Sequence, residues 1–184
     1  MAHSDRTPGI RPELTVRRRL NIAARHAFPA SLTVLAMLFM DLPLKLPAQA
    51  FFLPAVTLIS VWFWSLYRPA AMPPPVVFLI GLLLDLRGYL PPGTGVLALL
   101  ITHGLALRFR RFLLQQGLPL IAVAFTCMSV GAAALIWVLT SLLTFRFLSP
   151  VVMLFQAGIT AALYPLMAMA LLRAHNTVAD PDQA

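Results

Sequence analysis

Carboxylates are the first side chains to consider, because paired acids carry much of the acid–base chemistry of enzymes. Asp85 stands in an apolar segment and is the only acidic residue between Asp41 and Asp180. A catalytic carboxylate needs a second acid, a base or a nucleophile within reach, and the segments around Asp85 supply none. We therefore predict that the protein is not an enzyme and has no catalytic residues.

Two roles remain open for Asp85, because a carboxylate inside a membrane costs several kcal/mol unless it is paired, protonated or near the interface. One role is a buried hub that binds a partner or fixes a neighbouring helix. The other is a carboxylate at the outer headgroup level that pairs with Arg87. The hub hypothesis includes the glycines that flank Asp85 in sequence, which are Gly81, Gly88, Gly93 and Gly95.

His103 is the only histidine inside an apolar run, since the other three lie in terminal segments. A lone histidine serves either as a hydrogen-bonded packing residue or as a proton carrier or metal ligand, and the packing role is the more frequent one. Cys127 is the single cysteine, so it has no disulfide partner in the chain and no companion thiolate for a metal. We expect no metal site and no cofactor.

Small residues recur in the last two apolar runs, at Gly131–Ala134 and at Ala157–Ala162. Such stripes let helices approach closely, either for packing within the protein or as a groove for a partner's helix. Gln156 precedes the second stripe and has the same two interpretations, because a buried amide forms hydrogen bonds between helices.

The composition indicates the environment in which these residues act. The chain has 184 residues, of which 60% are hydrophobic and 11% charged, and a mean hydropathy of +0.85. A soluble domain carries about 25% charged residues. The excess of 14 Lys and Arg over 6 Asp and Glu lies mostly at the ends of apolar runs, which favours membrane topology over nucleic-acid binding.

The hydropathy pattern predicts an all-α integral membrane protein with about six transmembrane helices in a compact bundle. Residues 1–27 form a basic cytoplasmic or interfacial segment, residues 28–173 the six-helix transmembrane domain, and residues 174–184 a polar cytoplasmic tail. The apolar runs lie at 27–40, 46–67, 75–85, 96–107, within 112–145, and at 151–172. The first run is short for a full span unless it extends through Leu44 or Leu46.

Arginines orient the predicted helices through the positive-inside rule. With the N-terminus in the cytoplasm, cytoplasmic segments hold eleven Lys and Arg, and the outer loops hold only Lys45, Arg87 and Arg146. Both termini are therefore expected in the cytoplasm. An alternative is that Ala48-Gln49-Ala50 ends a cleaved signal peptide, which would leave five spans.

Several short elements together resemble one family of membrane proteins. They are Leu42-Pro43-Leu44, Trp64-Ser65-Leu66-Tyr67-Arg68-Pro69, Gly81-Leu82-Leu83-Leu84-Asp85-Leu86, Gly95-Val96-Leu97-Ala98-Leu99 and the segment from Gln156 to Pro165. This pattern, spread over residues 28–173, is similar to that of the MreD family, the bacterial rod shape-determining membrane proteins. The link from Asp85 to Gly95 departs from the family pattern in its Pro91-Pro92 insertion.

The resemblance implies a non-enzymatic, multi-pass subunit of the bacterial inner membrane that helps the elongation complex to organise peptidoglycan synthesis and maintain cell shape. Its implied partner is MreC, within an assembly that includes MreB, RodA, a class B penicillin-binding transpeptidase and membrane lipids. The family fold is similar to the substrate-binding subunits of energy-coupling-factor transporters, so vitamin binding is the alternative function. In either case the turn from Asp85 to Gly95 would shape a cavity or a partner-binding surface.

Overall fold

A computed structural model describes residues 16–40, 49–87, 91–145 and 149–179. These ranges form six α-helices and no strand, which confirms the all-α prediction for the described part of the chain. The helices are α1 (Val16–Met40), α2 (Gln49–Tyr67), α3 (Pro74–Leu86), α4 (Thr94–Gln115), α5 (Leu118–Thr144) and α6 (Pro150–Ala179). A short 3₁₀ turn, Pro69–Ala71, links α2 to α3.

Prolines lie at the starts of three helices, α3, α5 and α6, the last of which begins at Pro150. Pro74 and Pro75 open α3, and Pro119 lies in the first turn of α5. The first helical positions need no backbone N–H donor, so proline fits there at no cost in hydrogen bonding. The segment between α2 and α3 is therefore short, and Pro74 and Pro75 at its end already belong to α3.

Helix α2 forms the centre of the bundle. From Ala55 to Leu66 every residue is buried, and α2 packs against α1, α3, α4 and α6. A helix buried on all sides must be apolar around its whole circumference. Its hydroxyls Thr57 and Ser65 donate to backbone carbonyls within α2, at 2.7 and 2.5 Å.

The helices extend past the apolar runs in three places. Helix α1 begins at Val16, within the basic segment, and continues through residue 28 as one helix. Helix α4 runs to Gln115 and includes the arginines that were expected to close the fourth run. Helix α6 continues to Ala179, beyond the expected end at residue 173.

Two of the helices are long and apolar enough to cross a membrane by length and composition, at Leu118–Thr144 and Pro150–His175. The segments Ala27–Met40, Phe51–Tyr67 and Pro74–Leu86 are apolar but shorter. The arrangement of six helices is thus observed in the described residues, and the crossing of a membrane by all six stays a prediction.

The helix termini lie at two opposite ends of the bundle. At one end, Arg110 Nε of α4 donates to the Leu66 carbonyl of α2 at 2.6 Å, and the His175 ring of α6 lies 6.0 Å from the Tyr67 ring. We call this the basic end. At the other end, the Phe51 ring of α2 lies 5.1 Å from Phe155 of α6, close to the turn between α3 and α4. We call this the Asp85 end.

Candidate functional site

The Asp85 carboxylate lies at the end of α3 and binds three backbone N–H groups of the following segment. Gly93 donates to Oδ2 at 2.8 Å, Gly95 donates to Oδ1 at 2.9 Å, and Val96 donates to Oδ2 at 3.2 Å. The side chain is 6% exposed. Both carboxylate oxygens are therefore occupied as hydrogen-bond acceptors.

These bonds make Asp85 a cap for α4 that is supplied by the preceding helix. The first N–H groups of a helix have no partner within it, and the positive end of the helix dipole favours a negative charge there. Residue Gly93, in the N-cap position, has no side chain to supply an acceptor. Asp85 supplies that acceptor from α3, so its charge is compensated by backbone donors.

Three glycines allow α3 and α4 to approach this closely. A Cβ atom on Gly81 would lie 2.7 Å from the Val96 Cα, and a Cβ on Gly95 would overlap Asp85 Oδ1. Gly93 has a φ of +93°, a conformation that glycine adopts without strain. We call Gly81, Asp85 and residues 91–96 the Asp85 turn.

The predicted hub residues Gly81, Asp85, Gly93 and Gly95 are thus brought together in one turn. The hydrogen bonds join the end of α3 to the start of α4, which is the helix-fixing part of the hub role, and partner binding by these residues stays a prediction. Gly88 lies outside the described residues.

His103 lies two to three helical turns further along α4, away from the Asp85 turn. Its Nδ1 is 2.7 Å from Ser65 Oγ on α2, and the ring is 3% exposed. Because the single Ser65 hydroxyl proton goes to the Val61 carbonyl, Nδ1 carries the proton and donates to Ser65 Oγ. Nε2 is then a buried acceptor with no partner among the described residues.

Gln156 joins α6 to α2 near the Asp85 end. Its Nε2 donates to the Phe51 carbonyl and to Thr160 Oγ1, both at 3.2 Å. Gln156 and Gly95 also line a central cavity of about 30 Å³, together with Ser129 and Thr160. Gln156 therefore neighbours the Asp85 turn across this cavity, whereas His103 is not among the residues that line it.

Two contacts between helices were not expected from the sequence. Ser65 is the partner of His103, and Arg110 is the partner of the Leu66 carbonyl. In the sequence, Arg110 is one of three closely spaced arginines with no feature that separates it from the other two. No feature of the run around Ser65 marks its hydroxyl as the partner of a distant histidine. Both partners become visible only when α2 and α4 are placed side by side.

The chemistry of the Asp85 turn is that of a structural contact that holds α3 against α4. Its carboxylate accepts hydrogen bonds from three backbone N–H groups, and Asp85 is the only acidic residue in the described ranges. Comparison of the chain with protein-family models, with curated proteins and with solved structures finds no match. The case for a function therefore depends on the residues and their geometry.

Proposed function

We propose that this chain is a non-enzymatic, multi-pass subunit of the bacterial inner membrane that acts as a scaffold in the elongation complex. In this proposal it binds MreC and helps to organise peptidoglycan synthesis along the side wall and to maintain cell shape. MreB, RodA and a class B penicillin-binding transpeptidase complete the assembly.

The Asp85 turn is the observation that carries the proposal. It is built from Gly81, Asp85 and Gly95, which belong to the sequence elements that resemble the MreD family. A charge held by three backbone donors rigidifies the α3–α4 pair and leaves no free carboxylate for acid–base chemistry. Rigid presentation of two helices suits a binding scaffold.

The distribution of charge supports a membrane orientation with the N-terminus in the cytoplasm. Of the arginines whose side chains the structure describes, five lie at the basic end and Arg87 lies at the Asp85 end. The five are Arg68, Arg108, Arg110, Arg111 and Arg173. Such a one-sided distribution is what the positive-inside rule produces in multi-pass proteins.

The outer surfaces of α5 and α6 support a hydrocarbon environment. Only 28% of the most apolar window of α5 and 17% of that of α6 are buried in the protein. An apolar helix at the core of a soluble protein would be mostly buried. Exposed side chains on these helices include Val123, Leu142, Leu154 and Leu166.

Vitamin binding has weaker support. The central cavity beside Gly95 and Gln156 measures about 30 Å³, close to the space of a single water molecule. Small-molecule sites measure about 300–1,000 Å³ and place several polar groups in a mostly apolar pocket. A larger groove of about 580 Å³, beside Trp62, Leu105 and Phe109, has an almost entirely apolar lining and lacks such polar groups. The polar groups Ser129, Gln156 and Thr160 are therefore better explained as interhelical hydrogen-bonding groups.

Affinity purification of the tagged full-length chain from its host in mild detergent, followed by mass spectrometry, tests the proposal. We expect recovery of MreC and cell-wall synthases. Asp85→Ala should lower that recovery while membrane insertion is retained, and Gly104→Ala on α4 is the control because a Cβ there meets no atom within 4 Å.

Two results would count against the scaffold function. Recovery of paired ATPases with a coupling membrane subunit, or of a tightly held vitamin, would assign the chain to transport. Equal recovery of MreC with wild type and with Asp85→Ala would show that the Asp85 turn does not contribute to partner binding.

A further inference from the structure

An apolar groove runs along the surface between α4 and α5. It has a volume of about 580 Å³, and Trp62 of α2 forms part of its floor. Its sides include Ile101, Leu105, Phe109 and Phe112 of α4 and Cys127 and Gly131 of α5. A Cβ on Gly131 would meet no atom within 4 Å, so this glycine leaves the groove open.

The length of the groove matches a lipid acyl chain. Lining residues on α4 extend from Ala98 to Leu113, which corresponds to about 22 Å along the helix axis. One leaflet of a bilayer has a hydrocarbon depth of about 15 Å, half of the whole core. The groove therefore accommodates a chain that enters from one leaflet and follows the helix.

Positive charge lies at one end of this groove. Arg108 is exposed and lies beside the groove on the surface of α4, three residues after Leu105 and four before Phe112. Arg111 is also exposed and lies one helical turn after Arg108, at the end of the groove. Arg110 differs from both, because it is engaged by the Leu66 carbonyl.

No carboxylate among the described residues balances Arg108 and Arg111. Asp85 is the only acidic residue in those ranges, and it is bound to the start of α4, about 20 Å away along the helix. The two guanidinium groups thus have the donors and the charge to hold a phosphate at the open end of the groove.

We propose that the α4–α5 groove is a binding site for an anionic phospholipid of the cytoplasmic leaflet. One acyl chain lies between α4 and α5, and the head-group phosphate binds Arg108 and Arg111. This inference rests on the membrane placement in the proposed function and is independent of the partner protein.

Titration of the delipidated full-length protein in mild detergent, read by native mass spectrometry, tests the site. The probes are phosphatidylglycerol and phosphatidylcholine, which differ in head-group charge. We expect preferential retention of phosphatidylglycerol, and a loss of about fivefold in its affinity for each of Arg108→Gln and Arg111→Gln, the change that about 1 kcal/mol per arginine produces. Inorganic phosphate, which has no acyl chain, should not displace the lipid at equal concentration.

Gly131→Leu tests the acyl-chain part of the site, because Gly131 lines the groove and a Cβ there meets no atom within 4 Å, so the larger side chain occupies groove space. It should lower the retention of both lipids. Gly158→Leu on α6 is its matched control, since that glycine also faces open space and does not line the groove. Arg173→Gln is the control for charge, because Arg173 is exposed at the same end but belongs to α6.

Cys127 provides an independent measurement, since it is the single cysteine and lines the groove. Bound phosphatidylglycerol should slow its reaction with a maleimide in wild type and not in Gly131→Leu. Equal retention of the two lipids, or retention unaffected by Gly131→Leu, would overturn the site.

A third result would also overturn it, namely that Gly131→Leu lowers MreC recovery and leaves lipid retention intact. The groove would then bind a partner helix. Because MreC recovery and lipid retention are measured separately, failure of the lipid site is distinguishable from failure of the scaffold function.

Discussion

Replacement of Gly95 by alanine should destabilise the protein, although alanine is the better helix former. Alanine favours a helix over glycine by about 1 kcal/mol. Against this, the new Cβ would overlap Asp85 Oδ1 and lie 3.2 Å from both the Asp85 Cγ and the Leu84 Cδ2. The carboxylate must withdraw from the start of α4, and each hydrogen bond to a charged group contributes about 1.5–3 kcal/mol.

With one or two of the three bonds lost, the net decrease in the free energy of unfolding of Gly95→Ala is about 2 kcal/mol. Unfolding in mixed micelles with increasing SDS, followed by tryptophan fluorescence, measures this difference. Gly104→Ala is the matched control on the same helix, because a Cβ there meets nothing within 4 Å. It should raise the free energy of unfolding by up to about 1 kcal/mol.

A double-mutant cycle isolates the cause. In an Asp85→Ala background the carboxylate is gone, so Gly95→Ala should lose most of its penalty. An equal penalty in both backgrounds would refute the steric argument about Asp85. A stabilising Gly95→Ala in the wild-type background would refute the whole account of the Asp85 turn.

Substitutions at Arg110 and His103 test the contacts between α2 and α4. Arg110→Gln should lower the free energy of unfolding by about 1–3 kcal/mol, because the Leu66 carbonyl at the end of α2 loses a charged donor, whereas the exposed Arg111→Gln should change it little. His103→Leu should be nearly neutral in the same assay, because the loss of the Nδ1 hydrogen bond to Ser65, about 0.5–1.5 kcal/mol, is offset by removal of a buried Nε2 that has no described partner. His103→Ala should cost about 2–5 kcal/mol through a cavity. A large loss of stability in His103→Leu would show that Nε2 is satisfied in the folded protein.

Contacts between residues close in sequence could be predicted from the sequence, and contacts between helices distant in sequence could not. Asp85, Gly93 and Gly95 lie within eleven residues, so their shared role could be predicted from the glycine spacing and the isolated charge. The partners Ser65 and His103 are 38 residues apart. Their pairing depends on the rotation of α2 against α4, which hydropathy does not encode.

Hydropathy predicts the number of helices better than it predicts where each helix ends. Hydropathy located all six helices, because each contains an apolar run. The same signal placed the ends of α1 and α6 too close to the apolar residues, since a helix continues as long as its backbone hydrogen bonds do. In α1 the basic residues from Arg17 onward are good helix formers, so the helix extends through them.

The internal hydrogen bonds of α2 bear on how the protein is made. Helix α2 lies at the centre of the bundle but is second in chain order, so it leaves the ribosome before α4 and α6, which cover it. In lipid an unsatisfied hydroxyl is costly, and Thr57 and Ser65 avoid this cost by donating to carbonyls of their own helix. Under the membrane placement of the proposed function, Thr57 and Ser65 need no hydrogen-bond partner from a later helix, so α4 and α6 can dock on α2 in the order in which they are synthesised.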